Sequence, residues 1–73
     1  MTPRANAAKP HLTPREIQVL QLCAAGRTAR QVGQALGIGR WTVYQHRARV
    51  LQAFDVGSTV EAVVAAMRCG LLT

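Results

Sequence analysis

Acidic residues, aromatic residues and long apolar runs are all scarce in this chain. Only three of its 73 residues are Asp or Glu, and Trp, Tyr and Phe occur once each. No apolar run approaches the length of about 18 residues that a membrane span requires, and the first residues lack the pattern of a signal peptide. The two cysteines, Cys23 and Cys69, match no metal-ligand spacing. We therefore predict a cytoplasmic protein with no metal and no cofactor.

The few acidic residues also argue against an enzyme. Glu16 and Glu61 each follow a Thr or Ser by three residues, which is the spacing of a helix cap rather than of a catalytic site. No nucleophile–base pair and no phosphate-binding loop is visible.

Cys23 lies on an apolar helical stripe, so we expect a buried, reduced thiol there. Cys69, near the C-terminus, is expected to be partly exposed.

Positive charge is what the chain has in excess. Nine Lys and Arg residues against three acidic residues give a net charge of +6. In a compact domain this excess favours a polyanionic partner, nucleic acid before membrane, and a basic surface that only maintains solubility is the alternative. A chain this short forms one small domain, and its core must be aliphatic, so dimerisation or ligand binding would add to its stability.

Four helices and no strand are predicted after a short basic arm. Residues 1–11 contain prolines and basic side chains without helical periodicity, which predicts a flexible basic arm. We favour an inert tail or a remnant linker over an arm that tracks a groove or the phosphates of DNA. Residues 12–73 form the domain. Three helices begin at capping boxes and end at a glycine, namely Thr13–Glu16 to Gly26, Thr28–Gln31 to Gly37, and Ser58–Glu61 to Gly70. The remaining helix, third in order, runs from about Arg40 to Phe54, and the expected fold is an all-α, compact four-helix domain.

The second and third helices are predicted to form a helix-turn-helix. Gly33 supplies the very small residue at their crossing, at a cost in helix propensity that only close packing would justify. Gly37 supplies the positive backbone angle of the turn. The apolar seam between the two helices consists of Val32, Leu36, Ile38, Val43 and Val50. A basic second helix is the part that such units insert into the major groove of DNA.

Four side chains on the outward face of the third helix are candidates for base contacts. Gln45 can pair bidentately with adenine, Ala48 leaves room for a methyl group, and Tyr44 can bond a phosphate or lie on a thymine methyl. Trp41 is the fourth, with a contact to DNA, to a partner or to the N-terminal arm as its alternatives. The candidates for phosphate contacts are Arg40, Thr42, Arg49 and Arg30, of which Thr42 is equally well explained as an ordinary first-turn residue.

Two other side chains of the third helix have structural explanations. His46 lies at the edge of the core face, so a packed, hydrogen-bonded histidine is favoured over a ligand or a catalytic base. For Arg47 the alternatives are backbone carbonyls, the carboxylate of Glu16, or DNA.

Several short runs occur together in the chain, namely Leu12-Thr13-Pro14-Arg15-Glu16, Leu36-Gly37-Ile38, Thr42-Val43 followed by His46, and Glu61-Ala62-Val63 followed by Gly70-Leu71. Together they resemble the LuxR/GerE-type helix-turn-helix DNA-binding domain, most closely its FixJ-like branch, from Leu12 to Leu72. The resemblance implies a four-helix domain whose third helix enters the major groove and whose fourth helix pairs in a dimer.

The resemblance also implies that Tyr44, Gln45 and Ala48 read bases. Tyr44 stands where relatives often have lysine, which is a departure from the family pattern at a base-reading position. Gly39 stands where relatives commonly have a Ser or Thr cap. Most relatives add a receiver or ligand-sensing domain. The chain is therefore either a stand-alone regulator, which its initiator Met slightly favours, or the excised end of a longer one.

The fourth helix is apolar on two sides, which predicts a homodimer. One stripe, Ala62, Val63 and Ala66, is small enough to pack tightly on the domain. The second stripe, with Arg68 beside it, is the predicted dimer interface and consists of Val60, Val64, Met67 and Leu71. The alternative is that the second stripe is the core face.

Two functions remain open from the sequence. The leading one is sequence-specific binding of double-stranded DNA for transcriptional regulation. The other is a small helical protein-interaction module, similar to region 4 of sigma factors, that binds RNA polymerase or another regulatory protein with weak or no DNA binding. The exposed positions predicted for Trp41, Val64 and Met67 keep this second function open as the alternative.

Overall fold

The computed structural model describes residues 10–72, and within them the predicted all-α fold is confirmed. The helices are α1 (Pro14–Ala24), α2 (Ala29–Leu36), α3 (Arg40–Phe54) and α4 (Thr59–Arg68), and no strand occurs between residues 10 and 72. Most of the predicted basic arm, residues 1–9, lies outside the described residues. No single helix of the described part is long and apolar enough to cross a membrane. Only α3 and α4 taken together have the length and composition of a span, and they are bent by 55° at their junction.

The helix starts follow the predicted caps with one difference. Thr13 and Thr28 form complete capping boxes, in which the hydroxyl accepts from the backbone N–H three residues later and that residue's side chain accepts from the Thr N–H. Ser58 Oγ also accepts from the Glu61 N–H, at 3.2 Å, but the Glu61 carboxylate accepts from the Ser58 hydroxyl at 3.0 Å. The third predicted capping box is therefore only half formed, because the acid bonds the cap's side chain instead of its backbone.

The core is aliphatic, as the composition requires, and α1 lies in contact with all three other helices. The core has two clusters of buried residues. The first consists of Leu12, Leu20, Val50, Ala62, Ala66 and Leu72. The second consists of Val19, Val32 and Val43. The valines of the second cluster are completely shielded from solvent. Burial of each such side chain stabilises the fold by about 1.5–3 kcal/mol relative to its exposure. This second cluster joins α1, α2 and α3, and it holds the two helices of the helix-turn-helix on α1.

The crossing of α2 and α3 confirms the predicted role of Gly33. A Cβ atom at Gly33 would lie 2.6 Å from the backbone oxygen of Ile38, so any larger residue would force the turn away from α2. Gly37 ends α2 with a φ of 70°, as predicted. The Gly33 carbonyl accepts hydrogen bonds from the backbone N–H groups of Gly37 and Ile38, which closes the turn. The side chain of Arg15 donates to the Leu36 carbonyl at 3.4 Å, at the same end of α2.

The core face of α4 is the alanine stripe, so the alternative that placed the second stripe in the core is wrong. Ala62 and Ala66 are fully buried. In contrast, Val60, Val64 and Met67 expose 73%, 40% and 49% of their surface. Small alanines allow α4 to pack closely on the domain, and the larger side chains then point away from it. Leu71 differs from the rest of its predicted stripe, because it is partly buried against the core.

Candidate nucleic-acid interface

The N-terminal half of α3 has one buried face and one exposed face, as the helical periodicity predicts. Val43 and Val50 are buried. The four candidates for base contacts, Trp41, Tyr44, Gln45 and Ala48, are all exposed, and we refer to them as the recognition face. Trp41 exposes 71% of its surface and Tyr44 47%. The recognition face therefore presents two exposed aromatic side chains beside the exposed amide of Gln45.

The candidate phosphate contacts surround this face. Arg40 is the first residue of α3, Arg30 lies in the first turn of α2, and both are exposed. Thr42 is half-buried in the first turn of α3. Arg49 lies further along α3, and its side chain is 70% exposed. Arg40 and Arg49 therefore lie on α3 before and after the recognition face.

Arg49 forms an ion pair that the sequence did not predict. Its Nε donates to Oε2 of Glu16 at 2.7 Å, while Oε1 of the same carboxylate accepts from the backbone N–H of Thr13 at 2.9 Å. From the sequence, Arg47 was the arginine considered as a partner of the Glu16 carboxylate. The structure gives this partner to Arg49 instead, because the start of α1 faces the C-terminal half of α3, whereas Arg47 faces α4.

The Glu16 carboxylate is almost completely buried, with a side-chain exposure of 5%. Burial by itself raises the pKa of Glu16, but the hydrogen bonds from Thr13 and Arg49 and the charge of Arg49 outweigh it, so the pKa lies below its ordinary value. Glu16 thereby remains ionised and orients the Arg49 guanidinium.

An open cavity of about 410 Å³ borders this pair and is lined by His11, Leu12, Glu16, Arg49, Gln52 and Ala53.

Arg47 links α3 to the start of α4. Its Nε and Nη2 donate to the hydroxyl oxygen of Thr59 at 3.3 Å and 3.0 Å, and its Cζ lies 5.9 Å from the centre of the Tyr44 ring. The sequence offered no signal for this link, because Thr59 is the first residue of a different helix. His46 is half-buried, in agreement with the packed position that was predicted for it.

Both cysteines are free thiols and half-buried. Burial raises the pKa of the Cys23 thiol, and the nearby charge of Arg47 opposes this rise only in part. Cys23 was predicted to be buried, and the structure instead leaves it partly accessible. The predicted partial exposure of Cys69 is confirmed.

The tight α2–α3 crossing and the exposed, basic start of α3 define a helix-turn-helix domain. The sequence family described as bacterial regulatory proteins of the luxR family, or GerE, matches residues 10–66, and the chain belongs to this family. The resemblance to LuxR/GerE-type domains that was seen in the sequence is therefore confirmed. The chain is a LuxR-type helix-turn-helix domain of the kind that transcriptional regulators use.

Individual relatives and a solved structure agree with this assignment. The chain is 39% identical over 62 residues to the uncharacterized response regulatory protein YgeK of Escherichia coli, covering 85% of the chain and 42% of YgeK. It is 41% identical over 59 residues to the transcriptional regulatory protein DegU of Brevibacillus brevis, covering 81% of the chain and 25% of DegU. The solved structure of the transcription factor GerE superposes with a TM-score of 0.82 at 27% identity, over 85% of this chain and 92% of GerE. The chain thus spans less than half the length of YgeK and of DegU.

Proposed function

We propose that the chain binds double-stranded DNA in a sequence-specific manner to regulate transcription, with the N-terminal half of α3 in the major groove. The observation that carries this proposal is the recognition face, which is exposed on a helix whose opposite side is anchored by fully buried valines. A rigid helix with an exposed polar and aromatic face fits the width of the major groove. Double-stranded DNA is found in the bacterial cytoplasm, where the protein would act.

Base recognition would depend chiefly on Gln45 and Tyr44. The Gln45 amide can donate to and accept from the major-groove edge of adenine, and Tyr44 can bring its ring or its hydroxyl to the neighbouring base pair. Ala48, one turn further along, leaves room for a thymine methyl. Trp41 lies at the start of α3, where its ring would reach the edge of the groove.

Arginines would supply the sequence-independent part of the affinity. Arg40 and Arg30 lie at the starts of the two helices, where side chains reach phosphates on either side of the groove. Glu16 holds Arg49 through its Nε, and the exposed remainder of the guanidinium is free to meet a phosphate without first being ordered. Such preorganisation reduces the entropic cost of binding.

The exposed apolar residues of α4 support a symmetric homodimer. Val60, Val64 and Met67 lie on successive turns and are not needed by the core, which α4 contacts through its alanines. Arg68 borders them and Leu71 would add its accessible edge. Two copies related by a twofold axis would place their α3 helices about one DNA turn apart, on half-sites about 10 bp apart.

Selection of bound sites from a random duplex pool at near-physiological salt tests the DNA function. We expect enrichment of an inverted repeat and its loss in Gln45→Ala. Gln18→Ala, which removes an exposed glutamine of α1, is the matched control and should bind like the wild type. If nothing is enriched and binding merely fades as salt rises, only non-specific electrostatic attraction remains. That result would favour the protein-interaction function, with RNA polymerase or another regulator as the partner.

Val64→Lys tests the dimer separately. We expect this variant to sediment as a monomer on an inverted-repeat duplex, to lose the preference for two half-sites and to retain binding to one. A Val64→Lys protein that still binds the inverted repeat as a dimer would refute the α4 interface while leaving the DNA function intact.

A further inference from the structure

We propose that Arg47 and Thr59 are positioning residues for base recognition, which fix the Tyr44 side chain in one orientation and thereby determine a base preference. This inference rests on the proposed function. It assigns to the first residue of α4, which is not on the recognition face, an effect on which DNA sequence is bound.

The first step is the contact between Arg47 and Tyr44. The two residues are three positions apart on α3, so their side chains lie on adjacent turns of the same face. The Arg47 guanidinium carbon is 5.9 Å from the centre of the Tyr44 ring, which is within the range of a cation–π interaction. Tyr44 is 47% exposed, so apart from this contact it has considerable freedom to turn.

The second step is what holds Arg47 in place. Two of its nitrogens, Nε and Nη2, donate to the single hydroxyl oxygen of Thr59 at 3.3 Å and 3.0 Å. These two bonds fix the guanidinium near Tyr44. The acceptor is a neutral hydroxyl, so this bond does not cancel the positive charge that attracts the ring. Arg47 and Thr59 also line one small space together with the core residues Val50 and Ala62.

The consequence is a side chain that is ordered before DNA arrives. An unrestrained tyrosine loses rotamer freedom when it contacts a base, and this loss reduces its contribution to affinity and to discrimination. With Arg47 beside it and Thr59 behind Arg47, Tyr44 approaches the groove in a single direction. Removing the Thr59 hydroxyl should therefore weaken the discrimination that Tyr44 provides.

Thr59→Val and Thr59→Ser form a matched pair for the experiment. Valine keeps the shape and removes the hydroxyl, whereas serine keeps the hydroxyl. Tyr44 is the only tyrosine of the chain, so its ring protons are assigned without ambiguity in an NMR spectrum. We expect nuclear Overhauser effects between the Tyr44 ring and the Arg47 side chain in the wild type and in Thr59→Ser, and their loss in a Thr59→Val protein that remains folded.

Site selection then measures the functional effect. The base pair that Tyr44 reads is the one whose preference disappears in Tyr44→Ala. At that base pair, Thr59→Val and Arg47→Met should each reduce discrimination by roughly two- to fivefold, as expected from the strength of a cation–π contact. Thr59→Ser should restore it, and Thr59→Val should have no further effect on the preference when combined with Tyr44→Ala.

The outcomes separate this inference from the proposed function. If the wild type selects a sequence and Thr59→Val selects it equally well, or if Thr59→Val and Tyr44→Ala have additive effects, the inference is refuted alone. An Arg47→Met variant that loses affinity equally for all sequences would show a direct phosphate contact and would also refute it. If the wild type selects no sequence, the proposed function fails and this inference fails with it.

Discussion

Replacement of Gly33 by alanine tests whether the helix-turn-helix depends on the absence of a side chain. At an unhindered helical position, this change stabilises a protein by about 1 kcal/mol, because alanine is the better helix former. At Gly33 the new Cβ would lie 2.6 Å from the Ile38 oxygen. That oxygen belongs to the backbone, so relief of the contact requires α2 and the turn to separate.

The expected magnitude follows from these opposing effects. Overpacking in a tight site costs about 1–3 kcal/mol, and movement of the turn would also weaken the hydrogen bond from the Ile38 N–H to the Gly33 carbonyl, which is 3.0 Å long and worth about 1 kcal/mol. After subtraction of the gain in helix propensity, we expect a net destabilisation of about 1–3 kcal/mol. In a domain of this size, this lowers the melting temperature by roughly 4–24 °C.

Thermal and urea unfolding followed by circular dichroism measure this change. Gln34→Ala, at the exposed neighbouring position of α2, is the matched control and should change stability by no more than about 0.5 kcal/mol. Gly33→Ala should also bind DNA more weakly than its folded fraction explains, because the angle between α2 and α3 changes. A Gly33→Ala protein that is more stable than the wild type would refute the close crossing.

Three further changes have defined outcomes. Thr28→Ala removes the hydroxyl that caps α2 and should lower the free energy of unfolding by about 1 kcal/mol in urea titrations. Glu16→Gln should destabilise the domain by about 1 kcal/mol at neutral pH, less than a fully buried pair would, because Arg49 is mostly solvated. Since the pKa of Glu16 is lowered by folding, its charge stabilises the domain above the ordinary glutamate pKa, and this benefit disappears as the pH falls through the lowered value. The raised pKa of Cys23 should make its alkylation by iodoacetamide at pH 8 slower than that of a free cysteine.

Each of these changes also has a contrary result. A Thr28→Ala protein as stable as the wild type would show that water replaces the cap without cost. A stability difference between wild type and Glu16→Gln that persists at pH 2 would mean that the hydrogen bonds of the side chain, and not its charge, are responsible. Alkylation of Cys23 at the rate of an unstructured peptide thiol would show that the α1 surface opens readily.

Helix positions and the turn were predictable because their causes are local. A Thr followed three residues later by Glu or Gln satisfies the free N–H groups of a helix start wherever the rest of the chain lies. The third predicted box was only half formed, because Glu61 has two nearby donors at Ser58 and the sequence does not indicate which one it bonds. The recognition face was predictable in the same way, since periodicity alone separates Val43 from Gln45.

The partners of the arginines were not predictable. Glu16 and Arg49 are 33 residues apart, and Arg47 and Thr59 belong to different helices. Two arginines separated by a single residue point to different neighbours, α1 in one case and α4 in the other. The choice depends on how the helices are stacked, about which no short segment carries information.

The sequence by itself determined the four helices and the glycine-dependent turn, because capping, backbone angles and apolar periodicity operate over a few residues. It also indicated the family of the chain, through short motifs that resemble those of LuxR/GerE-type domains. Only the tertiary structure decided which stripe of α4 is the core, which arginine neutralises Glu16 and what lies beside Tyr44. Those outcomes depend on packing between distant segments. The small side chains of Ala62 and Ala66 allow α4 to pack closely on the domain, and its larger side chains therefore remain at the surface.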